Sequence, residues 1–142
     1  MGRIEMQIIL DTSAVIGLMD KKYKKHENLK TIFTKKDNLY ILPSTAIGEI
    51  CYMLNSRFGN KIELIFLEEI IKTGFQLELL KDMDIVRIIE ILKKYDTFNI
   101  GYVDASIVAI AERLKTNKIL TLDRKHFEVI IPRGFDRFDI LI

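Results

Sequence analysis

Four acids stand where a folding chain has little reason to place charge. Asp11 ends the apolar run Ile8, Ile9, Leu10 in "MQIILDTSAVIGLMD", and the hydroxyls of Thr12 and Ser13 follow it before a second apolar stretch begins. Asp123 ends "KILTL" in the same way. Asp104 opens "YVDASIVAIAERL" on a helical stripe with Ile107, Val108 and Ala111, so its carboxylate points into the protein or a cleft rather than bulk water. Glu49 lies in "STAIGEICYML". Its place on the wheel is ambiguous: it is off the side formed by Ile47, Ile50, Cys51 and Leu54, near Thr45 and Met53. Gly48 beside it would let a ligand or another backbone come close.

Taken singly, each acid has an ordinary explanation. Asp11 and Asp123 suit the N-caps of following helices, Asp104 a first-turn carboxylate favoured by the helix dipole, and Glu49 a solvated surface. Jointly these readings weaken, because two acids follow strands at one sheet edge and a third opens a buried helix. If the acids converge, their repulsion must be offset, and a hard divalent cation, Mg²⁺ or Mn²⁺, is the natural partner for carboxylate oxygens. Mg²⁺ keeps several waters and takes one or two protein carboxylates with phosphate oxygens, so an acid-lined cleft without histidine or cysteine ligands points to phosphate chemistry. The ion would orient and acidify a water and neutralise charge on a phosphoryl transition state, with nearby lysines and arginines holding a polyanion.

The elements that must position these acids alternate between strand and helix. Residues 6–10 form a continuous apolar run, the pattern of a strand covered on both faces. Helices are predicted over 13–19, 24–35, 44–57 (opened by Pro43 and ended by Gly59), 60–72 and 102–115, the last apolar almost all round. A further helix, capped by Asp82 or Asp84, carries Ile85, Ile88, Ile89 and Leu92 at i, i+3, i+4, i+7. Short strands are predicted at 39–42, 74–80 and 118–122, with 137–142 as a final edge strand. Strands separated by helices require crossovers and a parallel sheet, which gives a three-layer α/β/α sandwich over residues 1–142 as one domain. In such a sheet ligands bind beyond the carboxyl ends of the strands, where Asp11 and Asp123 fall.

Bulk properties exclude several classes. The chain has 142 residues and a net charge of +2, which says little about partners. Its one cysteine, Cys51, reads as a small buried hydrophobe in a reducing cytoplasm. His26 and His126 are far apart and no Cys/His cluster exists, which excludes structural zinc. No apolar stretch reaches the roughly 18 residues of a membrane span, and the N-terminus lacks a signal-peptide pattern. Basic segments at Lys21 to Lys25, Lys35 and Lys36, Arg113 with Lys115 and Lys118, and Arg124 with Lys125 each read first as a solvated face and second as a binding patch.

The motifs taken together resemble the PIN domain family, specifically the VapC toxins of VapBC toxin–antitoxin pairs. "IILDTSAVIGLMD" resembles the opening strand and first acid, and "LPSTAIGEICYML" the second motif with its glutamate. "YVDASIVAIAERLKTNKILTLDRKHFEVI" resembles the third and fourth acids with the apolar helix between them and is the most specific match. The resemblance implies a PIN-like fold and a Mg²⁺-dependent endoribonuclease, usually a homodimer, silenced by a cognate antitoxin that occludes the site. It implies a catalytic quartet of Asp11, Glu49, Asp104 and Asp123, with Asp11 and Asp104 as direct metal ligands and Asp123 ligating or acting through water. Glu49 would assist as an outer ligand or orient the attacking water, and Thr12, Ser13 or Thr121 would bond an acid or phosphate. The loop "YDTFNIGYVD" departs from the family pattern at Phe98, Asn99 and Ile100, where relatives often carry proline. Asp96 in that loop is a minor candidate for the site; His126 is a candidate acid or base, but in the family pattern it belongs to an "HF" turn, and the structural role is the one expected.

Other functions fit less well. A receiver-like phosphotransfer domain would pair Asp11 with an acidic neighbour, which it lacks, and a haloacid-dehalogenase-type phosphatase would place an aspartate where Ser13 stands. A metal-free RNA- or protein-binding module on the same fold has no use for clustered negative charge.

Overall fold

The computed structural model describes residues 6–35, 37–72 and 74–142; Lys36, one of the expected basic residues, lies outside them. The first strand, β1 (Gln7–Leu10), is the reference for the rest. Its Ile8, Ile9 and Leu10 are fully buried, as a strand covered on both faces requires. Strand β2 (Leu39–Pro43) pairs with one edge of it and β4 (Lys118–Leu120) with the other, both parallel, in the register Ile8 to Tyr40 and Ile9 to Ile119. The short strands β3 (Gln76–Glu78) and β5 (Asp139–Ile140) close the sheet in the order β3-β2-β1-β4-β5, every pairing parallel. The chain builds outward from β1 to one side and returns to the other, so a topological switch lies between the carboxyl ends of β1 and β4.

Alternation along the strands divides the interior into two cores. Ile9, Ile41 and Ile119 face a cluster with residues of α5 (Asp82–Lys94), α6 (Tyr102–Arg113) and α7 (Lys125–Val129). Ile8, Leu10, Tyr40, Leu42 and Leu120 face the other, with α1 (Thr12–Met19), α2 (His26–Phe33), α3 (Ser44–Phe58) and α4 (Asn60–Lys72). This is the three-layer α/β/α sandwich expected from the strand–helix alternation. Gly17 of α1 marks a close approach: a Cβ there would stand 2.7 Å from Leu122 Cδ1 and 2.8 Å from Leu29 Cδ1. The sheet-edge turn after β4 is thus packed directly on α1.

Several local expectations change. All the strands but β2, which runs one residue past its expected end, are shorter than their apolar patterns, and the helix α7 and a 3₁₀ turn at Asp96–Phe98 follow from no periodic signal. In α5 the inward residues are Asp84, Ile88 and Ile91, while Ile85 and Ile89 are largely exposed. The expected apolar stripe is therefore turned partly outward, because α5 is apolar on two faces and packs only one. Neither Asp82 nor Asp84 is the N-cap; Lys81 holds that position, and Asp84 reaches back to accept its N–H at 2.9 Å. Cys51 is half-buried rather than enclosed.

Arg113 is not part of a solvated basic face. Its side chain lies between α5 and α6, with Nε at 3.0 and 3.1 Å from the two oxygens of buried Asp84 and Nη1 at 2.8 Å from Glu78. Arg87 bonds Glu112 through two parallel contacts of 2.7 and 3.0 Å across the same helix pair. These paired carboxylates hold both guanidinium groups above their ordinary pKa. Lys118 and Arg124 are also paired, with Asp139 and Glu128, which leaves Lys21, Lys22, Lys24, Lys25, Lys35, Lys115 and Lys125 as exposed cations of the expected basic segments.

Candidate active site

The sheet edge begins with Asp11. Its backbone N–H continues the ladder by donating to Leu120 O at 3.0 Å, which fixes the residue one step past β1 and beside β4. Its side chain caps α1, accepting from Thr12 N–H at 2.8 Å, so the ordinary N-cap reading is correct as far as it goes. It does not account for the other oxygen. Oδ2 accepts from Thr121 Oγ at 2.6 Å and Ser13 Oγ at 3.1 Å. Both hydroxyls are tied in turn to the turn after β4: Thr121 accepts from Asp123 N–H at 3.0 Å and Ser13 from Leu122 N–H at 2.9 Å. Two of the three hydroxyls singled out in the sequence thus bind an acid. Thr12 contributes its backbone, while its own Oγ is buried with no hydrogen-bond partner among the described residues.

Asp11 is only 5 % exposed, and burial pushes its pKa up to about 6, with the nearby Asp104 charge adding to the rise and the Thr121, Thr12 and Ser13 bonds opposing it. Asp104 opens α6 at the same edge. Burial raises its pKa also, the His126 bond and charge oppose that, and the negative fields of Asp123 and Glu49 raise it further. Glu49 and Asp123 are themselves exposed. The four acids therefore share one electrostatic neighbourhood centred on Asp104, with Asp11 the most enclosed and Glu49 and Asp123 on the solvent side. Asp96 sits on the exposed 3₁₀ turn and is not among the groups acting on Asp11 or Asp104.

Two contacts escaped the sequence reading. His126 Nδ1 lies 2.6 Å from Asp104 Oδ2, so the residue assigned to a structural turn touches a site acid. Its place three residues past Asp123 was the available signal. Thr45 and Ser106 meet hydroxyl to hydroxyl at 2.6 Å, with Ser106 donating to Val103 O. That pair joins α3 to α6 one helical turn from Glu49 and half a turn from Asp104. Gly48 makes no close approach within the chain, since a Cβ there would meet nothing.

The donor set is carboxylate oxygen backed by hydroxyls, with no thiol, and its one imidazole is spent on a carboxylate. That chemistry fits a hard divalent cation. Among the described residues no group of three or more His, Cys, Asp or Glu side chains is arranged to hold a metal ion by itself. Mg²⁺ does not require one, since it takes one or two carboxylates and retains waters. The apolar cavity of about 980 Å³ between α1, α2 and α4, lined by Val15, Leu18, Phe33, Tyr40 and Phe66, contains none of the four acids.

The chain is 30 % identical to Ribonuclease VapC26 of Mycobacterium tuberculosis over 134 residues, 94 % of this chain and 99 % of that protein. Its fold is similar to that of VapC20 of Mycobacterium tuberculosis, a sarcin-ricin loop cleaving toxin, with a TM-score of 0.75 at 21 % identity over 82 % of this chain and 89 % of that one. It is also similar to a chain of VapBC2 from Rickettsia felis, solved bound to a promoter DNA fragment, with a TM-score of 0.68 at 17 % identity over 88 % and 93 % of the two chains. The sequence model of the PIN domain matches residues 8–130. With Asp11 just inside that match at one end and Asp123 and His126 at the other, the chain belongs to the PIN domain family and is a VapC-type member of it.

Proposed function

We propose that this protein is a divalent-metal-dependent endoribonuclease, the toxin of a VapBC-like pair, that hydrolyses RNA phosphodiesters. The observation that carries the reading is the buried carboxylate of Asp11, held at the switch point by Thr121 and Ser13 and repelled by Asp104, in a chain 30 % identical to a named ribonuclease. Asp11 and Asp104 are the residues that hold Mg²⁺ or Mn²⁺, and Asp123 ligates it or acts through a water. A bound divalent cation supplies charge stabilisation at the phosphate and a more acidic water. Glu49, exposed at the rim, orients the attacking water, while Thr121 and Ser13 keep Asp11 in one rotamer. No covalent intermediate with the chain is required.

The partners in this reading are RNA, a cognate antitoxin that covers the acids, and a second copy of the chain. Dimerisation is supported by the bare apolar side chains of α3 and α4, among them Tyr52, Leu64, Leu67 and Ile71, the last 86 % exposed. A cytoplasmic place of action suits the free Cys51; among the described residues no helix is long and apolar enough to cross a membrane. The test is cleavage of a mixed RNA pool with Mg²⁺ or Mn²⁺ and with EDTA. Cutting is expected with either cation and none with the chelator, and cutting that persists in EDTA overturns the mechanism.

A further inference from the structure

We infer that His126 is a positioning residue for Asp104, selecting which carboxylate oxygen faces the cation. An ionised carboxylate only accepts hydrogen bonds, so the 2.6 Å contact runs from Nδ1–H of His126 to Oδ2 of Asp104. Both the Nδ1 tautomer and the imidazolium supply that proton, so the assignment needs no particular charge on the ring. The bond has three consequences for Asp104. It satisfies one lone pair of Oδ2, leaving Oδ1 as the oxygen with no hydrogen-bond partner among the described residues. It removes the carboxylate's rotation, because His126 is itself held on α7, where Phe127 is buried in the core and Ile130 N–H closes onto His126 O at 3.0 Å. And it offsets the burial and the negative fields of Asp123 and Glu49 that otherwise disfavour an ionised Asp104. Asp11 is likewise held in one orientation, though by donors on both oxygens: Thr121 and Ser13 donate to Oδ2 and the Thr12 N–H to Oδ1. Each inner acid is thus held by a donor from the turn after β4 or from the helix that follows it. Partners of this kind behind a metal ligand are worth about 10–100-fold in metal affinity.

The inference rests on the proposed reading of Asp104 as a cation ligand, and titration with Mn²⁺ alone, followed by the EPR signal of the free ion, separates the two. Wild type is compared with His126→Ala, His126→Asn and His126→Gln. The asparagine amide nitrogen stands at the same bond count from the backbone as Nδ1, whereas that of glutamine stands one bond further. His126→Ala is expected to bind Mn²⁺ about 10–100-fold more weakly. His126→Asn should recover most of that loss, and His126→Gln should not. Equal Mn²⁺ binding by wild type and His126→Ala overturns the inference while leaving the metal-dependent reading intact. So does an equal loss in all three variants accompanied by an equal fall in Tm, which assigns His126 to the turn alone. Absence of stoichiometric Mn²⁺ binding in wild type removes the reading on which the inference stands.

Discussion

Asp11→Asn is expected to give a protein that resists heat better than the wild type at neutral pH and cuts RNA far more slowly. The first effect follows from burial. The folded chain binds a proton at Asp11 with a pKa of about 6 against 3.8 for the free side chain. A raised acid pKa means the folded state is the better proton binder, so the penalty is absent below pH 3.8, grows through the interval up to pH 6 and is complete above it. Its full size is about 3 kcal/mol. Asparagine removes the charge but accepts hydrogen bonds at one oxygen only, which leaves a donor among Thr121, Ser13 and Thr12 unpaired at a cost of about 1–2 kcal/mol. A net gain of about 1–2 kcal/mol at pH 7.5 is the expected balance of these two effects. Thermal melts in EDTA at pH 7.5 and pH 4 check it: the variant should melt higher at pH 7.5, and its advantage should vanish at pH 4. Added Mn²⁺ should raise the Tm of wild type and leave the variant unmoved. A variant that melts lower at both pH values contradicts the account. Under the proposed function, loss of the Asp11 charge should lower cleavage by about 10²–10⁴-fold, the several kcal/mol that charge stabilisation by a bound cation supplies.

Arg113→Ala carries the largest expected cost in stability. The guanidinium contacts Asp84, Glu78 and the carbonyl of Leu79, and its side chain is 13 % exposed. Removing it leaves Asp84, at 2 % exposure, as a buried charge whose one remaining hydrogen-bond partner among the described residues is the Lys81 N–H. The expected loss is about 3–5 kcal/mol. Arg113→Lys should lose a large part of the same amount, because an ammonium cannot match the fork that spans two carboxylates. Adding Asp84→Asn to Arg113→Met should recover most of the stability, since the uncompensated charge is what costs, and urea unfolding of the single and double variants measures it. If Arg113→Ala unfolds at the wild-type midpoint, the ion pairs contribute nothing across α5 and α6.

What could be read from the chain divides by range. The run Ile8, Ile9, Leu10 identifies a two-face-covered strand by itself, and the acid after it follows from a general rule about parallel sheets. The order of strands and helices is similarly local, and it led to the right layers. The inward face of α5 was not legible, because Ile85 and Ile89 repeat the same spacing as the side that is buried. Arg113 looked like a surface charge because its partners lie 29 and 35 residues away. The same limit hid the Thr45–Ser106 contact, which spans 61 residues. His126 stands only three residues past Asp123, yet its partner is Asp104, 22 residues away on a different helix.

The pairing of β1 with β4 joins residues more than a hundred positions apart: Thr121 reaches Asp11 across a separation of 110. Contacts of such range form late in folding, after the loop entropy between them has been spent. A polypeptide still on the ribosome, or released before the "KILTL" segment emerges, holds Asp11 with neither its hydroxyl partner nor its neighbouring strand. Under the proposed function, a product that stops short of that segment lacks the strand and the hydroxyl that hold Asp11 and is expected not to cut RNA.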